Sequence, residues 1–125
     1  MARHTTVLLV ADSNRLVAEA LMDAFLEVAE VECSIATSLA KALLAAQLKQ
    51  PDLVLVDAWI GRSDIEHIVH DIKACAPQSA VFVTASSVDP AFARRVKKAG
   101  AHGCYEKDKV PAAASAMLKA VRTHS

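Results

Sequence analysis

Four polar residues stand where apolar runs stop. Asp12 follows VLLVA, Asp57 follows LVLV, Thr84 follows VFV, and Lys107 comes directly after CYE. Two carboxylates, a hydroxyl and an amine on one rim form a set suited to phosphoryl transfer onto a carboxylate. Asp57 is the candidate nucleophile, because an acid at the tip of an apolar run is rigidly held, partly exposed and aimed outward. Asp12 and Asp57 offer the hard oxygen ligands that a divalent cation such as magnesium takes. That cation and Lys107 would neutralise charge on the transferring phosphoryl group, and Thr84 would donate a hydrogen bond to one of its oxygens.

These residues meet only if the runs that carry them are neighbouring strands with their carboxyl ends together. The patterning supports this. Thr6–Val10 is a short β-branched and leucine run. Asp12 and Ser13 open a helix from about Asn14 to Ala29, with a stripe at Leu16, Val17, Ala20, Leu21, Ala24, Phe25 and Val28. Val31–Ala36 is a second strand, and Ser38 caps a helix through Leu39, Leu43 and Ala46 to about Lys49. Leu53–Val56 is apolar throughout, as a strand covered on both faces must be. A third helix fits Ile65, Ile68, Val69 and Ile72 and stops before Pro77. Ala80–Val83 is a fourth strand, and Asp89-Pro90 opens a helix that ends at Gly100. Cys104–Glu106 is a short fifth strand, and Pro111 starts a last helix through Met117, Leu118 and Val121. Five strands alternating with five helices specify an α/β fold: a doubly wound parallel sheet with right-handed crossovers. In such sheets function sits outside the carboxyl ends of the strands.

Composition excludes several classes. The 125 residues suit one domain, 1–125, with a core that needs no staples. With 14 basic and 14 acidic residues, no global field calls for nucleic acid or an anionic membrane. No apolar run approaches the ~20 residues of a membrane helix. MARHTTVLLVADSN lacks the layout of a signal peptide. Cys33, Cys75 and Cys104 are scattered and form no CxxC pair, as for reduced thiols in a cytoplasmic protein.

The order VLLVADSN, PDLVLVDAWIG, VFVTAS and GCYEKD resembles the CheY-like receiver domain of two-component response regulators, across essentially the whole chain. The resemblance implies a flavodoxin-like fold and a signalling domain rather than an enzyme. It implies Asp57 as phosphoacceptor, Asp12 as a magnesium ligand, Thr84 as switch hydroxyl and Lys107 as the lysine that pairs with the phosphoryl group. The backbone carbonyl of Trp59 would complete the metal site, and the Trp59 side chain would shield the acyl phosphate from water unless it only covers apolar rim surface. The implied partners are a sensor histidine kinase or phosphotransfer protein and an effector domain or output protein. A homodimer through the fourth helix, fifth strand and fifth helix is a further possibility. The Lys107-Asp108 pair is similar to receivers that precede a helix-turn-helix output domain.

Four positions depart from the family's pattern. Receivers usually carry two adjacent acids after the first strand; here they are Ala11 and Asp12, so magnesium binding is expected to be weakened. Gly61 stands where proline is usual, and Ile65 where glycine is common. The switch aromatic is replaced by Cys104, while Tyr105 lies one step later, on the other face of its strand. These departures favour an alternative: an atypical pseudo-receiver that works as an interaction module without phosphorylation.

Other readings fare worse. An aspartate-nucleophile phosphatase would use Asp12 with an acid two residues on, but that residue is Asn14. No glycine-rich loop follows the first strand for a nucleotide. His67 and His70 lie three apart on one helix without a third ligand nearby in sequence, and exposed polar positions account for them. Arg94, Arg95, Lys97 and Lys98 read as a solvated helix face or part of a docking surface.

Overall fold

The computed structural model describes residues 5–124, with side chains to Val121. The first four residues of the segment read above for a signal peptide lie outside the described residues.

The elements alternate strictly. Strands β1 (Thr6–Ala11), β2 (Val31–Ala36), β3 (Leu53–Asp57), β4 (Ala80–Ala85) and β5 (Gly103–Glu106) are separated by helices α1 (Arg15–Leu26), α2 (Leu39–Lys49), α3 (Ile65–Cys75) and α4 (Pro90–Lys98). A short 3-10 turn, Lys107–Lys109, leads into α5 (Val110–His124). The strands form one parallel sheet in the order β2-β1-β3-β4-β5. Chain direction across the sheet reverses between β1 and β3, which opens a crevice beyond their carboxyl ends.

Both faces of the sheet are covered, as the apolar run 53–56 requires. Val54 and Val56 point into a cluster with Ile68, Val69 and Ile72 of α3, Val96 of α4, and Ala42 and Ala46 of α2. Leu53 and Leu55 point the other way, to Phe25 and Leu21 of α1 and Met117 and Val121 of α5. Strand alternation then fixes where the next residue goes: Asp57 lies on the α1/α5 side.

Several boundaries differ from the sequence expectation. Asn14 is the cap of α1 rather than its first helical residue, with its side chain accepting from the Leu16 and Val17 amides. The helix ends at Leu26, short of Ala29. Its buried face is Ala18, Leu21, Ala24 and Phe25. Leu16, Ala20 and Val28, expected on the apolar stripe, are exposed; Leu16 lies in the first turn and Val28 past the helix end. Strands β1, β3 and β4 each run one or two residues further than read, so that Ala11, Asp57, Thr84 and Ala85 are held in the ladder. β5 starts one residue earlier, at Gly103, and α5 starts at Val110 rather than Pro111. Ser38 and Asp89 cap α2 and α4 as expected.

At the amino edge of the sheet, polar groups are bonded to backbone. The Asp52 carboxylate accepts from the Val7 amide at 2.8 Å. The buried Ser79 hydroxyl donates to the Pro51 carbonyl. Gln50 ends α2 in the left-handed conformation, φ 46°, and its amide nitrogen donates to the Cys75 carbonyl at 2.8 Å. Lys73 donates to the carbonyls of Ser79 at 2.8 Å and Pro77 at 3.0 Å.

Candidate functional site at the carboxyl edge

At the opposite edge, Asp12, Asp57 and Lys107 come together. Asp57 is the last residue of β3, and Asp12 follows β1 with its amide donating to the Ala36 carbonyl at 3.0 Å. Both carboxylates are buried, at 1% exposure for Asp12 and 5% for Asp57, so Asp57 is not partly exposed as its strand-tip place led one to expect. Lys107 reaches over from the end of β5. Its Nζ lies 2.8 Å from Asp12 Oδ2 and 3.0 Å from Asp57 Oδ1, so one ammonium bridges two acids. The other Asp12 oxygen accepts from the Asn14 amide at 2.9 Å. Asp12 therefore does not cap α1; Asn14 does that, which leaves Asp12 to the ion pair.

Burial of the Lys107 amine works against its charge. Its hydrogen bonds to Asp12 and Asp57, with the attraction of both negative charges, outweigh that penalty and hold the ammonium above its ordinary value.

Thr84 pairs with Asp57 in register across β3 and β4, so its side chain is on the same side of the sheet. It is 1% exposed, and its Oγ1 has no hydrogen-bond partner. A buried hydroxyl without a partner costs free energy. Here it stands beside Asp57, its register partner.

The departures from the family pattern have distinct surroundings. Ala11 is buried in the α2/α3 cluster, one position before Asp12 and on the opposite face of β1. Cys104 packs against that same cluster, and burial pushes its thiol up to about 11. Tyr105 is on the other side, beside Phe82 with ring centroids 5.8 Å apart. It is the register partner of Thr84, so the displaced aromatic shares the face of the hydroxyl rather than that of Cys104. A Cβ at Gly61 would stand 2.8 Å from Leu39 Cδ2, so proline there requires Leu39 to move.

Trp59 is 80% exposed. It does not pack as an apolar rim cover; it stands out beside a cleft of about 450 Å³ between the loops that follow β3 and β4. Ile65 lines this cleft at the start of α3.

Among the described residues, no group of three or more His, Cys, Asp or Glu side chains is gathered for a metal. His67 and His70 are exposed, and His70 stands 3.9 Å from Asp71. The three cysteines are free and half-buried. Around the Lys107 amine two carboxylates come together, Asp12 and Asp57. Magnesium commonly uses one or two carboxylates, with waters and phosphate oxygens filling its shell. The donor set fits that ion in kind.

One residue escaped the sequence reading. Glu106, at the end of β5, accepts from the Val88 amide at 3.2 Å and lies 3.6 Å from Lys109 Nζ. Its signal was an acid inside a short strand. Arg94, Arg95, Lys97 and Lys98 are exposed on α4, and Arg95 makes a two-pronged bond to Glu66 of α3 at 3.1 and 3.2 Å. Among the described residues, no helix is long and apolar enough to cross a membrane.

A family model described as the response regulator receiver domain matches residues 7–122. No curated protein matches. Among solved structures, the chain is similar to the signal receiver domain of the response regulator NarL from Mycobacterium tuberculosis. That match has a TM-score of 0.83 at 21% identity and covers 96% of this chain and 98% of that one. It is also similar to a CheY-like receiver domain protein from Methanospirillum hungatei JF-1, with a TM-score of 0.81 at 14% identity and 97% of each chain covered. A response regulator from Burkholderia pseudomallei, with a phosphorylated aspartic acid, calcium ion and citrate, matches with a TM-score of 0.79 at 21% identity. The match covers 94% of this chain and 69% of that one. At these identities the structural likeness concerns the fold.

Proposed function

This chain belongs to the response regulator receiver domain family of two-component signalling, and from that premise we propose that Asp57 accepts a phosphoryl group and thereby alters binding to an output partner. The donor is a phosphohistidine of a sensor histidine kinase or phosphotransfer protein. An Asp57 oxygen attacks phosphorus as the bond from phosphorus to the imidazole nitrogen breaks, and the imidazole leaves with the electron pair. The similar Burkholderia regulator carries a phosphorylated aspartic acid, which accords with this chemistry. The observation that carries the reading is the unpartnered Thr84 hydroxyl, buried on the same side of the sheet as Asp57. A phosphoryl oxygen would give it the acceptor it lacks. Lys107, already 3.0 Å from Asp57, would keep its charge while exchanging its Asp12 contact for the new group.

Asp12, Asp57 and the Trp59 carbonyl would hold magnesium, which when bound screens the phosphoryl oxygens. With alanine at position 11, only two carboxylates serve the ion, so its affinity before phosphorylation is low. The Trp59 indole would lean over the line of water attack on phosphorus and lengthen the lifetime of the acyl phosphate. Residues 1–125 act as one receiver unit, and α4, β5 and α5 offer the surface for an effector or a second copy. The test is intact mass after incubation with acetyl phosphate and magnesium. One phosphoryl adduct, labile in mild base and absent in Asp57→Asn, is expected. An adduct that survives that substitution removes Asp57 from the role.

A second reading, a module that works without phosphorylation, rests on Ala11, Gly61 and Cys104. It predicts no adduct at any donor concentration, with Asp57→Asn leaving partner binding unchanged.

A further inference from the structure

Helix α4 has few attachments to the body of the protein. Val96 is its one fully buried side chain, and Phe92 is partly buried. The two-pronged Arg95–Glu66 bond ties its exposed face to α3. At its amino end, the loop that leads from β4 carries Ser86 and Ser87, both exposed, then Val88 and the cap Asp89. Among the described residues, one side chain outside this loop grips its backbone: Glu106 of β5, whose Oε2 accepts from the Val88 amide at 3.2 Å.

Glu106 is well placed to do more than satisfy one amide. It is the register partner of Ala85, the last residue of β4 and the neighbour of Thr84. Directly after it comes Lys107, whose amine spans Asp12 and Asp57 on the other side of the sheet. The end of β5 is therefore forked. One arm goes to the acids, the other to the loop that starts α4. Lys109, 3.6 Å from Glu106 Oε1, steadies the second arm.

We propose that Glu106 is a positioning residue that clasps the loop before α4 and couples the Lys107 end of β5 to the position of that helix. The clasp is a charge-assisted hydrogen bond, stronger than a neutral one. It holds the loop in the resting protein whether or not Asp57 is ever phosphorylated. The coupling to phosphorylation rests on the function proposed above: a Lys107 that shifts toward a phosphoryl group moves the residue next to it.

The test has two arms. The first uses the unphosphorylated full chain and amide hydrogen exchange resolved by residue. Glu106→Leu should speed exchange at Val88 and the first turn of α4 by about tenfold or more. Glu106→Gln, which keeps an oxygen acceptor, should retain most of the protection. Should the leucine variant fail to fold, Glu106→Ala serves in its place. Unchanged Val88 exchange in the leucine or alanine variant overturns the clasp, and loss in Glu106→Gln equal to that in Glu106→Leu shows that an acceptor oxygen at this position does not hold the loop, which also overturns it. The second arm adds acetyl phosphate and magnesium. The native chain should show altered exchange in α4, and Glu106→Leu a smaller change. An adduct seen by mass with equal changes in both proteins overturns the coupling. Absence of any adduct overturns the Asp57 reading, and the first arm still decides the clasp.

Discussion

The two edges of the sheet handle their polar side chains in opposite ways. At the amino edge, Asp52, Gln50, Ser79 and Lys73 each hold a neighbouring backbone group. At the carboxyl edge, Asp12, Asp57 and Lys107 hold one another, and Thr84 Oγ1 holds nothing. Bonds to backbone have one best geometry and lock the loops they close. A charge triad with a spare hydroxyl is cheaper to rearrange, because its members are free to exchange partners without breaking the ladder. On the function proposed above, the first edge would stay fixed and the second would rearrange.

The largest expected effect that tests this contrast comes from Lys107→Met. It leaves two nearly fully buried carboxylates without their counter-charge. Removing one partner of a buried ion pair costs on the order of 3 kcal/mol. Chemical denaturation in the absence of divalent cations should show it, and added magnesium should restore more stability to the variant than to the native chain. No loss would mean that the two acids do not depend on the lysine.

Ser79→Ala should cost about 1–2 kcal/mol, since the buried Pro51 carbonyl loses its hydroxyl donor. The yield of phosphoryl adduct by mass should not change. A variant that folds as stably as the parent would show that the amino edge is not locked by this bond.

Thr84→Val should act in the opposite sense. Valine fills the same space without burying an orphaned hydroxyl, so stability should rise by about 1 kcal/mol. The exchange pattern of α4 should meanwhile respond less to acetyl phosphate. Loss of stability instead would mean that the hydroxyl already has a partner.

The smallest effect separates two lysines by pH. Lys107 has its folded value raised, so its contribution is fully present below the unfolded value of about 10.4 and is lost as pH rises through the folded value. Lys73 faces only carbonyls, and desolvation lowers its folded value. Between that lowered value and the unfolded one, the unfolded chain binds more protons, so Lys73 makes stability increase with pH. Thermal midpoints of Lys107→Met and Lys73→Met measured from pH 8 to 12 should therefore deviate from the parent with opposite slopes. Parallel curves would erase the distinction between the edges.

Much of the carboxyl edge was legible because strands announce themselves. The runs 53–56 and 80–83 have no polar face, so both sides must be covered, and the residue after each had to emerge at a rim. That alone brought Asp57 and Thr84 to one place. The bridge of Lys107 to both acids was not legible, because it depends on how far β5 extends beside β4. Nor was the Asn14 cap: Asp12, Ser13 and Asn14 are all good cap residues, and only the fold shows that Asp12 is occupied elsewhere. Leu16 misled because spacing alone does not say which residues of a helix's first turn reach the core. The amino edge was silent for a different reason. Its bonds end on carbonyls and amides, which every residue carries, so no side-chain pattern marks them.

The exposure of Trp59 has a practical consequence. It is the chain's single tryptophan, and at 80% exposed its indole already meets the solvent that an unfolded chain would offer. Its emission should then be red-shifted in the native protein and shift little further when the chain unfolds. A denaturation curve followed at this wavelength would miss most of the cooperative transition that circular dichroism records. The same dye-like position, two residues after Asp57, makes its quantum yield a gauge of what sits at the rim. In this protein the fluorophore should report events at the rim better than it reports unfolding.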